Sequence, residues 1–155
     1  MSSTRAREST GTESGSRGID PRGPRFAAAV TSVVLAVAVL TGSVWVLAFQ
    51  VLVFAVAAVA GLQYSPYGWA YRTLVRPRLG PPAELEDPAP PRFAQAVGLV
   101  VTGVGLVFAL AGAGLAVEVA AGLAFVAAIL NAAVGLCLGC ELYLLIARLR
   151  APRPA

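Results

Sequence analysis

Histidine and lysine are absent from these 155 residues, cysteine occurs only twice, and charged residues make up 13% of the chain. Each scarcity excludes something. Without histidine, two cysteines alone do not complete a four-ligand zinc site within one chain. A soluble globular domain carries about a quarter of its residues as charged side chains. About half that share, beside 57% hydrophobic residues and a mean hydropathy of +0.76, excludes an ordinary soluble domain. Twelve arginines with no lysine, in a chain rich in Ala, Val and Gly, point to a GC-rich bacterial genome.

What is present in quantity is apolar sequence. Four runs stand out: Phe26 to Leu40, Val44 to Leu62, Phe93 to Leu110, and Leu115 to Ile146. About 20 helical residues cross a hydrocarbon layer of about 30 Å. The first run is short and needs its flanks, or a thinner bilayer, to span. It is read as a span rather than a cleaved signal, because a polar stretch precedes it and only Thr41-Gly42-Ser43 separates it from the second run. The expected fold is an all-α membrane protein with four transmembrane helices, at about 26–41, 44–62, 93–111 and 117–146. A disordered tail over residues 1–19, rich in Ser, Thr, Gly and Arg, precedes the membrane domain of residues 20–150.

Charge sets the orientation. Arginines cluster before the first run (Arg5, Arg7, Arg17, Arg22, Arg25), between the second and third (Arg72, Arg76, Arg78, Arg92), and after the fourth (Arg148, Arg150, Arg153). The other two connections hold no basic residue, and their only charge is Glu118. The positive-inside rule then predicts both termini on the cytoplasmic side of a bacterial inner membrane. A pI near 9.7 follows from these topology signals and implies no nucleic-acid partner.

The chain also repeats itself. Asp20-Pro21-Arg22-Gly23-Pro24-Arg25-Phe26-Ala27-Ala28-Ala29-Val30 returns 67 positions later as Asp87-Pro88-Ala89-Pro90-Pro91-Arg92-Phe93-Ala94-Gln95-Ala96-Val97, with eight of eleven positions identical. Halves 20–78 and 87–150 are therefore expected to form two helical hairpins of the parallel-repeat kind, related by an axis along the membrane normal. Aligning the ends of their second spans sets Gly68 against Gly139, which predicts that the loop Ser65, Pro66, Tyr67, Gly68 faces Gly135 to Cys140. Gly98, Gly105 and Gly112, and the small residues Ala124, Ala128, Gly135 and Gly139, are expected to be packing faces. Tyr64, Tyr67, Trp69 and Tyr71 read as an interfacial aromatic belt. Pro77 to Pro91 reads as a stiff extended linker. Gln50 and Asn131 are expected to bond across helices.

Cys137 and Cys140 stand three apart in Gly135-Leu136-Cys137-Leu138-Gly139-Cys140, with Glu141 next. On a continuous helix the two thiols share a face, close enough for a disulfide, and Glu141 joins Cys137 there. At a cytoplasmic face the resting state is the dithiol. Several readings stay open. In thiol redox or sulfur relay, one cysteine attacks, the other resolves, and Glu141 accepts a proton. Soft-metal binding would use the two thiolates for Cu(I), or four in a dimer. A solute path or a scaffold for a cytosolic partner needs neither thiol, and both cysteines can pack simply as small apolar residues. One objection attends the redox reading: the end of an outward-to-inward span is a helix C-terminus, whose partial negative charge disfavours thiolate. A break at Gly135 with a restart at Cys137 would remove it.

The motifs DPRGPRFA, YSPYG, RPRLGPP, PRFAQAVG and CLGCELY together resemble a bacterial membrane family catalogued as domain of unknown function 4395, over about residues 20–150. That resemblance implies, through the family's association with thioredoxin-like and rhodanese-like proteins, thiol or sulfur work with a soluble partner, and it matches Cys137 and Cys140 as the pair. It implies no cofactor. The chain is also similar to four-helix disulfide-forming membrane oxidases, but those work on the outer side, where this sequence has no cysteine.

Overall fold

The computed structural model describes residues 18–150, and these are almost wholly helical. Helix α1 spans Arg22–Thr41, α2 Val44–Val59, α3 Pro66–Ala70, α4 Ala89–Leu110, α5 Ala116–Val134 and α6 Leu138–Arg150. A 3₁₀ turn at Leu62–Tyr64 precedes α3, and a π turn at Tyr71–Val75 and a 3₁₀ turn at Arg76–Arg78 follow it. Helices α1, α4 and α5 are long and apolar enough to cross a membrane, while α2 is apolar but has only 16 residues. Large apolar side chains such as Leu40, Trp45, Val59, Leu110 and Leu123 point outward from all four. An apolar exterior of this extent is suited to lipid and would be an association surface in water.

The helix starts follow from local chemistry. Pro21 and Pro88 fix the backbone where no intrahelical donor is needed. The preceding carboxylates then accept amides from the first turn: Asp20 Oδ1 from Arg22 N at 3.0 Å and Asp87 Oδ1 from Ala89 N at 2.9 Å. Residues 67 apart thus make the same cap. Immediately upstream, Ile19 and Glu86 form an antiparallel bridge with each other, with N···O distances of 2.8 and 2.9 Å. Ile19 is therefore part of the folded unit. The rest of the expected tail, apart from Gly18, lies outside the described residues.

Packing crosses between the halves: α1 lies chiefly on α5, and α2 chiefly on α4. The core is Leu35 and Ala38 of α1, Leu47 of α2, and Val117, Ala121 and Ala124 of α5. The glycine stripe on α4 works at two of its three positions. An added Cβ would lie 3.0 Å from the Phe54 ring at Gly98 and 2.1 Å from Ala120 Cβ at Gly105, whereas Gly112 has open space and forms the turn that ends α4.

Three sequence expectations need correction. The run 117–146 is not one helix: α5 ends at Val134 and α6 begins at Leu138. The extended linker stops at Pro88, because Pro90 and Pro91 sit in the first turn of α4, where a missing amide is harmless. Of the aromatic belt, only Tyr64 and Trp69 are at the surface, while Tyr67 and Tyr71 are buried. Tyr67 donates its hydroxyl to Gln50 Oε1 at 2.8 Å, and Tyr71 donates to Asp20 Oδ2 at 2.8 Å. They act as struts that tie the loop to α2 and to the start of α1.

Candidate functional site: a dithiol at a helix start

Gly135 ends α5 in the left-handed conformation, φ +75°. There the chain turns so that the amides of Gly135 and Leu136 bond back to the carbonyls of Asn131 and Leu130, at 3.1 and 3.4 Å. Two residues later Cys137 immediately precedes α6. Its Sγ accepts the backbone N–H of Cys140 at 3.4 Å, and its carbonyl accepts that of Glu141 at 3.0 Å. This is the geometry of an N-cap, with a sulfur where serine or aspartate usually sits. The unfavourable helix end is thereby replaced by a favourable one, since a helix N-terminus carries partial positive charge.

The two thiols consequently differ. Cys137 is lowered to about 7: the Cys140 thiol donating to it is the largest influence, and the amides of Cys140 and Gly139 add to it. Partial burial and the Glu141 carboxylate act in the opposite direction. Cys140 is pushed well above the usual thiol range, first by holding that shared proton, then by burial and by the negative charge of Cys137, Glu86 and Glu141. Chemically, Cys137 is the sulfur that ionises more readily and Cys140 the one that keeps its proton. Both cysteines are free and half-buried.

Tertiary contacts hold the restart in place. Gly139 lies against α4 so closely that an added Cβ would come 2.5 Å from Ala94 Cβ and 2.6 Å from its Cα. Tyr143 stacks at a tilt on Phe93, with ring centroids 5.6 Å apart, as Tyr71 does on Phe26 at 5.8 Å. The Arg25 guanidinium packs on Gly135, 3.2 Å from where a Cβ would be. Its partner 67 positions on, Arg92, lies at the end of α2, donating to the carbonyls of Ala58 at 2.7 Å and Val59 at 2.5 Å. Each arginine therefore closes the C-terminal end of a helix from the other half, where cations are favoured.

Behind Cys137 lies a cavity of about 250 Å³ between α1, α2, α4, α5 and α6, with Phe54, Leu123 and Ala127 among its walls and Thr31, Gln95 and Asn131 as its polar groups. The loop Ser65 to Gly68 does not share it. Ser65, Tyr67 and Gly68 line a separate cavity of about 200 Å³ with Asp20, Tyr71 and Arg72, and Gln95 is the residue common to both. The predicted facing of SPYG and the dithiol is thus corrected to two neighbouring cavities, because α6 packs on α4 while α3 packs on α1. Asn131 does not bridge helices but lines the dithiol cavity, whereas Gln50 does reach across to Tyr67. Glu141 is exposed and shares a shallow depression on α6 with Arg148. Among the described residues, no group of three or more His, Cys, Asp or Glu side chains is placed to hold a metal.

Sequence reasoning missed Arg25, Ala94 and Gln95. A signal for Gln95 was available: from Pro24 to Val30 and Pro91 to Val97 the two copies of the repeat differ only where Gln95 replaces Ala28 with an amide.

No curated protein and no solved structure matches the chain. A match to one family extends over residues 19–148, from the bridge at Ile19 through both cysteines to the last turns of α6, and the chain belongs to that family, described as Domain of unknown function (DUF4395).

Proposed function

We propose that the protein is a four-span module of the bacterial inner membrane, two parallel helical hairpins with both termini in the cytoplasm, whose dithiol exchanges disulfides with a soluble thioredoxin-like or rhodanese-like protein. The observation that carries the chemistry is the Cys137 sulfur at the start of α6, accepting the Cys140 amide. Support for the duplicated architecture comes from equivalent residues. Ile19 and Glu86 pair with one another, as a twofold axis between the halves requires, and Arg25 and Arg92 exchange helix ends. The 16 residues of α2 reach roughly 24 Å as helix, which fits a span with local thinning of the bilayer. Arginine grouping supports the cytoplasmic side for the dithiol.

In the exchange, the Cys137 thiolate attacks one sulfur of a partner disulfide. That S–S bond breaks, a mixed disulfide forms, and the partner's other sulfur leaves as a thiolate. Cys140 then gives up its proton, attacks Cys137 Sγ, and releases the partner's second sulfur. The partner gains two electrons and the module becomes a disulfide. The reverse sequence oxidises a partner dithiol.

A thioredoxin whose resolving cysteine is replaced by serine, loaded with thionitrobenzoate, tests this. Cys140→Ser protein is expected to displace the coloured leaving group and remain disulfide-linked to the thioredoxin one to one. Cys137→Ser is expected to displace it at least tenfold more slowly. Equal rates for the two variants would sink the assignment of Cys137 as nucleophile. On inverted vesicles, failure of a charged maleimide to label Cys137 would sink the cytoplasmic placement.

A further inference from the structure

The soluble exchange leaves unexplained why the nucleophile backs onto a cavity walled by the apolar helices α1, α4 and α5. The lining contains no charged residue. Its polar groups are two amides and a hydroxyl: Gln95, Asn131 and Thr31. Other hydroxyls on these helices, Ser32 and Thr102, bond back to their own helices at Ala28 and Gly98. Among the described residues no such bond engages the side chains of Thr31, Gln95 or Asn131. An anionic ligand would find no cationic side chain there and would face the Cys137 sulfur, and a wholly apolar one would leave three polar groups without partners. Neutral carbonyl oxygens on an apolar body satisfy both conditions. The size is also suitable, since a cavity of ~150 Å³ accepts benzene and this one measures about 250 Å³.

We infer that the cavity admits the ring of a membrane quinone, which takes the two electrons and two protons of the Cys137–Cys140 dithiol. This rests on the dithiol reading above and names the acceptor for it. A quinone reaches the site from the lipid, and a dithiol is matched to it in stoichiometry. The Cys137 thiolate adds to a ring carbon, and Cys140 then attacks Cys137 Sγ and breaks the carbon–sulfur bond. An S–S bond has formed, the ring departs as the quinol, and the two thiol protons end on its oxygens. The new disulfide is the species that oxidises a soluble partner dithiol.

The test uses the full chain in detergent micelles, reduced, freed of reductant and kept anaerobic. The probe is a short-tailed benzoquinone substituted at every ring carbon, so that no stable thioether forms. Expected is one quinol formed and two thiols lost per chain, and neither in Cys137→Ser. Ala127→Phe fills the cavity and Asn131→Leu replaces an amide by an alkyl group of the same branching; each is expected to slow quinol formation at least tenfold. Thionitrobenzoate displacement, measured on the same samples, reports whether the thiols are intact and normalises the quinol rate. Wild-type protein that displaces thionitrobenzoate but yields no quinol overturns the quinone inference and leaves the exchange reading standing. Protein that does neither overturns both. Ala127→Phe and Asn131→Leu both reducing quinone at the wild-type normalised rate would also overturn it.

Discussion

The sharpest quantitative consequence of the restart at Cys137 is its acidity. A thiol near 9 is about one per cent ionised at pH 7, whereas one lowered to about 7 is half ionised. Alkylation by iodoacetamide follows the thiolate, so the rate at Cys137 should rise with pH to a midpoint near 7 and level off above it. Because Cys140 is raised, the neutral range should show one fast label, on the peptide carrying Cys137, and one slow one. The causes can be separated by variants. Cys140→Ala removes the largest influence, the donating thiol, and should move the midpoint upward, though the amides of Cys140 and Gly139 still favour the thiolate. Glu141→Gln removes a nearby negative charge and should move it downward, the opposite of what a helpful general base would give. A wild-type midpoint between 8.5 and 9 would refute the N-cap argument, and a Cys140→Ala midpoint unchanged from wild type would refute the donating thiol as the largest influence. Peptide mass spectrometry of timed labelling gives both numbers.

Three stability predictions accompany it, each read by thermal unfolding in detergent. Gly135→Ala forces a side chain into the left-handed region and toward Arg25, costing about 1–2 kcal/mol; Gly135→Asn should cost less. Arg92→Ala removes two hydrogen bonds at an exposed helix end, where water can take the donor's place, and should cost about 0.5–1.5 kcal/mol; a loss under 0.3 kcal/mol would contradict the cap. Tyr67→Phe strands the fully buried Gln50 Oε1, at about 1–3 kcal/mol, while combining it with Gln50→Leu should recover most of the loss.

Much of this molecule could be read from its residues, for identifiable reasons. Long apolar runs need no tertiary information to be recognised, because transfer from water to an apolar phase is a property of the side chains themselves. The Asp-Pro helix starts are local too, since the carboxylate reaches only two residues ahead. The repeat was legible because its two copies still agree residue by residue. Other features were misread for an equally physical reason: whether Tyr67 and Tyr71 face lipid headgroups or reach inward to Gln50 and Asp20 depends on partners distant in the chain. Local hydropathy contains no information about those partners.

The sequence by itself determined an apolar helical chain, its duplicated helix starts, the grouping of its arginines and the spacing of its two cysteines. Tertiary structure alone decided that the last apolar run breaks. Gly135 can continue a helix at a cost of about 1 kcal/mol or end one in a left-handed turn, and intrinsic propensity separates those outcomes too weakly to choose. The choice is made by Arg25, packed on Gly135 from the other half, and by Ala94, which Gly139 approaches closely enough to bring α6 onto α4. Those contacts turn Cys137 from a residue near the end of one helix into the residue that begins another.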